Sequence, residues 1–422
     1  MPARFGYLPL ANQRRLKMDT DRHNAETPPP PSPPAGATLT PTVLDTELPA
    51  RDFGVQTLSA NYRTIVQARA IFYPVAYRFP RELGRGRQGI VFLGLRQGAR
   101  GCITRHAIKL FDPGIYSSSE KYWTDMGRIA AQTSQLQMVK NPCLVAPDVY
   151  EENNGIGYLQ MAVVDGVSLR YLLDGNHLEL VRARCSREEW ARFTDVIFRV
   201  EHDQVRIQPG VALYIMRQVL RGLESLHEAG FVHSDVKPDN IMIDRQGYVR
   251  LVDYGRAVQI NERVSILFGS PVYMAPEIHR RACSLAQSDI YSAGLVGLEM
   301  LRGDTSLDPR ADEAAMLAAK EQLPDRLASL LPDYVRQNAQ FVILLQRFLE
   351  PEPRQRYANA VEAEVGSDGL LLVHRQLVKL GKDTEYGREL ETYLEKLPWP
   401  GAENSPPNAV RAENTAPAQL SA

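Results

Sequence analysis

The stretch His233-Ser-Asp-Val-Lys-Pro-Asp-Asn240, running directly into the apolar Ile241-Met-Ile243, decides how this chain is read. It puts a carboxylate, an ammonium and an amide within eight residues of a turn that a strand closes off. Downstream, Leu251-Val-Asp-Tyr-Gly255 is a second apolar strand that ends in an Asp and a Gly. Upstream, Leu83-Gly-Arg-Gly-Arg-Gln-Gly-Ile-Val91 sets three glycines between two extended stretches. Lacking Cβ atoms, such a turn lets its backbone N–H groups approach phosphate oxygens. It is not a dinucleotide fingerprint, because Ile90-Val-Phe-Leu93 is strand-like where a helix would have to open. Lys109 ends the apolar run His106-Ala-Ile-Lys109, and a lysine there is costly to bury unless an anion meets it. Taken singly, each piece is a polar turn or a Gly-rich hairpin. In this order the turns suit a phosphorylated ligand and a hard cation.

The 422 residues leave room for two or three units, or for one large unit with flexible ends. With 49 Lys+Arg against 50 Asp+Glu, the formal charge of −1 provides no basic footprint for nucleic acid or a membrane surface. The 4 cysteines, Cys102, Cys143, Cys185 and Cys283, have neither metal-ligand spacing nor the density of a disulfide framework, which points to a reducing, cytoplasmic setting. No apolar run approaches the roughly 18 to 20 residues of a membrane span, and no apolar stretch follows Arg14, Arg15 and Lys17 to make a secretory signal. From Tyr77 to about Val164 the pattern reads as strands with one helix-like segment near Asp125 to Val139. From Gly210 it is mostly helical: Leu213, Met216, Leu220, Leu223 and Leu226 recur at helical spacing, and Gly230 stands where a helix stops. Strand-rich then helix-rich halves predict an α+β arrangement in two lobes. Residues 1–51, with Thr27-Pro-Pro-Pro-Pro-Ser-Pro-Pro34, read as a disordered Pro-rich arm, and 399–422 as a disordered tail.

Residues from about 77 to 365 resemble a eukaryotic-type Ser/Thr protein kinase catalytic domain. Gly84, Gly86 and Gly89 match that family's Gly-rich loop, His106-Ala-Ile-Lys109 its Val-Ala-Ile-Lys, His233 to Asn240 its catalytic loop, and Asp253-Tyr-Gly255 its Asp-Phe-Gly. Gly269-Ser-Pro-Val-Tyr-Met-Ala-Pro-Glu277 matches the end of its activation segment, Asp289 the Asp of its central helix and Arg356 its late Arg. The resemblance implies a two-lobed α+β fold, with a small β-rich lobe over about 70–164 and a helical lobe over about 165–365. It implies ATP as donor and Mg²⁺, or Mn²⁺, as cation. Asp235 would accept or orient the proton of a substrate hydroxyl, Lys237 would hold the γ-phosphate and Lys109 the α- and β-phosphates, and Asn240 and Asp253 would ligate the metal. Leu83, Val91, Ala107 and Met242 join the nucleotide site, with Met161 as gatekeeper and Ala162 and Val164 offering backbone groups to the base. His233, Glu277, Asp289 and Arg356 would be buried scaffold groups, with Glu277 paired to Arg356. Lys two residues after the catalytic Asp, as in Asp235-Val-Lys237, implies Ser/Thr of protein substrates rather than Tyr. The complete Gly-Ser-Pro-x-Tyr-x-Ala-Pro-Glu segment argues against a small-molecule kinase.

Two positions depart from the family. Ser234 replaces an Arg that commonly meets an activation-loop phosphate. Anchoring on Asn141-Pro142 puts Gln132, rather than a Glu, at the small-lobe helix position that faces the strand lysine, with Glu120 and Asp125 as the other acids in reach. That departure keeps open an ATP-binding pseudokinase scaffold as the alternative function. Ser265 is the candidate autophosphorylation site. An insertion over about 174–208 carries a capping box, Ser186 with Glu189, and an apolar stripe of Trp190, Phe193, Ile197 and Val200. It packs on its own domain or, like the Pro-rich arm, docks a partner. Residues 366–398 are expected to add one or two helices.

Overall fold

The computed structural model describes residues 54–72, 75–201, 204–263, 270–379 and 385–398. The Pro-rich arm 1–51, the tail 399–422 and Ser265 lie outside the described residues.

The described chain opens with α1 (Val55–Ala68), whose Leu58, Tyr62 and Ile65 recur at four- and three-residue spacing and form one buried stripe. A six-stranded antiparallel sheet follows, built from β1 (Ala70–Ile71), β2 (Tyr77–Gly86), β3 (Gly89–Gln97), β4 (Ile103–Phe111), β5 (Pro147–Asn153) and β6 (Ile156–Met161) in the order β1-β2-β3-β4-β6-β5. Between β4 and β5 runs α2 (Ser119–Leu136), started by the Ser118 hydroxyl, which accepts from Lys121 N. That cap sets the start of α2 six residues before the expected Asp125. Tyr122, Met126 and Ile129 of α2 join Phe79, Phe92, Ile108, Leu110 and Tyr158 of the sheet in the small-lobe core. Register places Lys109 between Val91 on β3 and Leu159 on β6, and Ala107 opposite Met161.

The larger lobe begins with β7 (Gly166–Ser168) and α3 (Leu169–Leu173). The 174–208 segment then forms α4 (His177–Arg182), α5 (Arg187–Val196) and the hairpin β8 (Phe198–Glu201)–β9 (Gln204–Ile207). After α6 (Pro209–Glu228) come β10 (Phe231–Val232), β11 (Ile241–Asp244), β12 (Val249–Leu251) and β13 (Val258–Gln259), with β11 between β12 and β7. Two helices follow, α7 (Pro276–His279) and α8 (Ala286–Arg302). Gly297 of α8 lets α6 come close, since a Cβ there would meet Met216 Sδ at 2.7 Å. The lobe is completed by α9 (Glu313–Glu321), α10 (Leu323–Leu330), α11 (Asp333–Arg336), α12 (Ala339–Phe348) and α13 (Ala360–Val365), and 366–398 adds α14 (Leu370–Lys379) and α15 (Tyr386–Glu395).

The capping box on α5 forms, with Ser186 and Glu189 each bonded to the other's backbone N–H. Phe193 and Ile197 pack in the large-lobe core, but Val200 is 45% exposed, because α5 ends at Val196 and the hairpin turns Val200 outward. Phe193 and Phe198 meet Tyr393 of α15, and buried His177 joins them. The insertion therefore covers its stripe with the chain's own α15.

His177 Nε2–H donates to Leu172 O at 2.8 Å and its Nδ1 accepts from the Tyr393 hydroxyl, so the ring is held neutral. Burial lowers its pKa, and burial followed by the nearby Lys320 ammonium lowers that of His279 to about 4. In the unfolded chain both titrate near the ordinary ~6.5. Below that pH the unfolded chain takes up protons that the folded chain refuses. Their contribution to stability is therefore intact above about pH 6.5 and falls as the pH drops, by up to about 1.4 kcal/mol per pH unit for each histidine. The urea midpoint is expected to fall between pH 7 and pH 5, and less steeply in His279→Gln. Equal slopes for the two chains would show that His279 is not a source of the loss.

Candidate active site

Gly89, at φ +143°, makes the β2–β3 turn possible, because a Cβ there would meet Leu110 O at 1.9 Å. Gly84 and Gly86 have nothing within 4 Å of the Cβ position, so the turn presents an open face with room for a bulky anion. Leu83 and Val91 flank it on β2 and β3, while Ala107 and Met161 pair across β4 and β6. Ala162 and Val164 continue from β6 toward the large lobe, and Met242 lies on β11 opposite Ser168.

Lys109 is 4% exposed, and its Nζ donates to Asp253 Oδ1 at 2.5 Å and to Gln88 Oε1 at 2.9 Å. Asp253 has φ +65°, a left-handed backbone that costs a non-Gly residue about 1 kcal/mol or more, and the lysine contact helps to hold it there. Burial pushes the Asp253 carboxyl up, but the Lys109 ammonium outweighs this and brings its pKa down to about 2, leaving an anion at neutral pH.

The expected contact of Gln132 with Lys109 does not form. Gln132 is buried on α2, where its Nε2 donates to Ala257 O at 2.6 Å and its Oε1 accepts from Arg128 at 3.2 Å. Arg128 also donates to Ala257 O at 3.0 Å and to Gly255 O at 3.4 Å. The α2 side chains thus grip the backbone just after Asp253, while a carboxylate satisfies the lysine better than an amide would. The two other acids do not reach it either: Asp125 accepts from Tyr116 and Arg128, and Glu120 is exposed in the first turn of α2. Gln132→Glu removes the donor to Ala257 O, and nucleotide affinity is expected to weaken about threefold to tenfold. Titration with a fluorescent ATP analogue reads this; tighter binding would mean that the new carboxylate has swung to Lys109.

In the turn after β10, Asp235 Oδ2 accepts from Lys237 Nζ at 2.8 Å and from Asn240 Nδ2 at 3.1 Å, and its Oδ1 faces Ser270 N at 3.4 Å. Asn240 Nδ2 also donates to Asp235 O at 2.8 Å. Both amide hydrogens are then used toward Asp235, and Oδ1 is left as the atom for a cation. Val252 N donates to Asn240 O at 2.9 Å, which brings the backbone of Asp253 near that of Asn240; an amide oxygen and a carboxylate are both hard oxygen donors. That donor set fits Mg²⁺. Among the described residues no group of three or more His, Cys, Asp or Glu is placed to hold a metal ion.

The scaffold beneath is polar and saturated. Buried Asp289 accepts from His233 N at 2.7 Å, Ser234 N at 2.9 Å and His227 Nε2 at 2.8 Å, holding Ser234 at φ +66°. Arg356 meets Glu277 through two parallel bonds of 2.8 Å, and both are buried. Three further residues carry no motif signal. Gln88 is hidden in the Gly-rich turn as an ordinary variable position. Lys320, fully buried on α9, donates to Pro271 O and Met274 O and lies 3.0 Å from His279 Nε2, which ties α9 to the loop after Ser270 and to α7. Arg170 on α3 reaches Glu299 on α8 at 2.7 Å.

The chain is 30% identical over 187 residues to a probable serine/threonine-protein kinase, pknA2, of Bifidobacterium longum, covering 43% of this chain and 21% of the relative. It is 29% identical to serine/threonine-protein kinase PknL of Mycobacterium tuberculosis, over 60% of this chain and 56% of the relative. With serine/threonine-protein kinase SKM1 of Saccharomyces cerevisiae it shares 27% identity, over 54% of this chain and 34% of the relative. The chain thus spans from about a fifth to about half of these relatives' length. The family model for the protein kinase domain matches residues 77–364, and with the two-lobed α+β fold in place the chain belongs to the protein kinase family.

Proposed function

We propose that the chain is an active serine/threonine kinase that moves the γ-phosphoryl group of ATP to Ser or Thr hydroxyls of protein substrates, itself included. The observation that carries this reading is Asp235, whose carboxylate is steadied by Lys237, Asn240 and the N–H of Ser270. The hydroxyl oxygen bonds to the γ-phosphorus as the bond from that phosphorus to the bridging oxygen breaks, and Asp235 takes the hydroxyl proton. Lys237 lies beside both Asp235 and the Ser270 hydroxyl, where it neutralises the passing phosphoryl group. Lys109 holds the donor's remaining phosphates under the Gly84–Gly89 turn. Asn240 Oδ1 and Asp253 would hold Mg²⁺ or Mn²⁺, which would supply charge neutralisation on the phosphates.

A second reading, an ATP-binding scaffold without transfer, draws on the engagement of Lys109 by Asp253 and Gln88 rather than by a carboxylate on α2. Incubation of the full chain with radiolabelled ATP and Mg²⁺, followed by phosphoamino-acid analysis, decides between them. Phosphoserine or phosphothreonine supports the enzyme, phosphotyrosine alone overturns the substrate class, and nucleotide binding without incorporation favours the scaffold. Among the described residues no helix is long and apolar enough to cross a membrane. A cytoplasmic location is supported by the four free cysteines.

A further inference from the structure

Gln88 stands at the tip of a hairpin, where a polar side chain ordinarily meets water, yet it is only 9% exposed. Gly86 pairs with Gly89, so Arg87 and Gln88 make the two-residue turn between β2 and β3. Arg87 is exposed, while Gln88 is folded inward. Its Oε1 accepts from Lys109 Nζ at 2.9 Å, and Asp253 Oδ1 takes a second N–H of the same ammonium at 2.5 Å. The three groups converge over Gly255, where a Cβ would lie 3.2 Å from Lys109 Nζ, 3.4 Å from Asp253 Oδ1 and 3.5 Å from Gln88 Oε1.

This arrangement leaves Lys109 short of donors for a nucleotide. An ammonium has three N–H groups; two are engaged, and gripping the oxygens of two phosphates takes two. One of the present partners must leave. Burial pushes the Asp253 carboxyl up, but the lysine brings its pKa down to about 2, so that partner is an anion at neutral pH. Gln88 offers only a neutral amide oxygen and makes the weaker bond. The amide is therefore the partner that yields. Gln88 O accepts from Asp112 N at 2.8 Å, which anchors the backbone, so rotation of the side chain frees Lys109 while the turn keeps its shape.

We propose that Gln88 is a latch on the nucleotide site: its amide oxygen holds Lys109 in the place of a phosphate oxygen, so the lysine is released only to a ligand whose phosphates displace the amide. The inference rests on the nucleotide site of the kinase reading, but it is measured by binding and needs no transfer. Calorimetric titrations of the full chain with Mg-ATP and with adenosine, which has no phosphate, are compared for wild type, Gln88→Met and Gln88→Glu. Phosphate incorporation is recorded in parallel. Met keeps the length of the side chain and removes the oxygen.

Gln88→Met is expected to bind ATP about threefold to tenfold more tightly than wild type, because the lost bond weakens the free protein and not the complex. Adenosine leaves the latch closed and should bind both chains alike to within about twofold. Gln88→Glu should bind ATP at least about tenfold more weakly, since its carboxylate pairs with Lys109 from the side on which the phosphates arrive and repels them. Should Gln88→Met fail to melt cooperatively, Gln88→Asn, one methylene too short to reach Lys109, carries the same expectation. A folded variant that binds ATP no more tightly than wild type, or gains as much for adenosine as for ATP, overturns the proposal. The expected order of affinities with no transfer by any chain leaves the latch standing and overturns the active-enzyme reading. Transfer with unchanged affinities does the reverse, and a wild type that binds no ATP overturns both.

Discussion

Asp235→Asn is expected to incorporate phosphate about 10²- to 10⁴-fold more slowly than wild type, the usual loss when a positioned general base is removed. The substitution is nearly isosteric, and its retained amide oxygen can still accept from Lys237 and Asn240, so the turn keeps its partners. What disappears is a carboxylate able to receive the hydroxyl proton. Nucleotide binding should stay close to wild type, since Lys109 and the Gly84–Gly89 turn lie in the other lobe. Incorporation of label at the wild-type rate would remove Asp235 from the mechanism. A parallel loss of ATP affinity would show instead that the catalytic turn had collapsed.

Arg356→Met should produce the largest loss of stability. It leaves the Glu277 carboxylate buried with only the Ser288 hydroxyl at 2.7 Å, and it strips hydrogen bonds from the carbonyls of Gln287, Glu350 and Pro351. Breaking one side of a buried pair costs about 3–5 kcal/mol, which in a lobe of this size lowers the melting temperature by on the order of 10 °C. Adding Glu277→Gln should recover part of the loss, because a neutral amide needs no counter-charge. A melting temperature within about 2 °C of wild type would mean that the pair contributes little beyond its own desolvation.

The parts of the site that were legible in the sequence are those fixed by local backbone. Gly89 must be Gly because of Leu110 O, and the turn from Asp235 to Asn240 is closed by contacts no more than five residues apart. The parts that were not legible are partnerships between distant, chemically ordinary side chains. Gln132 and Ala257 are 125 residues apart, and Arg170 and Glu299 are 129 apart. Nothing in an amide at position 132 says whether it turns to a lysine or to a carbonyl; the packing of α2 on the segment after Gly255 decides. The helix α1 is not legible in the sequence for a local reason. Its N-cap is Gly54 without a side-chain bond, and its first turn carries no acid, so the usual start signals are absent. Val200 falls on a helical stripe in the sequence, because period alone cannot announce that the helix ends at Val196.

The cover that α15 lays over the insertion also sets a clock on synthesis. His177 and Tyr393 are 216 residues apart, and the contact of Arg192 with Glu389 spans 197. At about 5–20 residues per second, a ribosome needs roughly 10 to 40 seconds to pass from one end of such a contact to the other. Throughout that interval Phe193 and Phe198 have left the ribosome ahead of the tyrosine that will shield them. The nascent protein must carry this sticky surface until α15 emerges, and over that interval the insertion is exposed to aggregation.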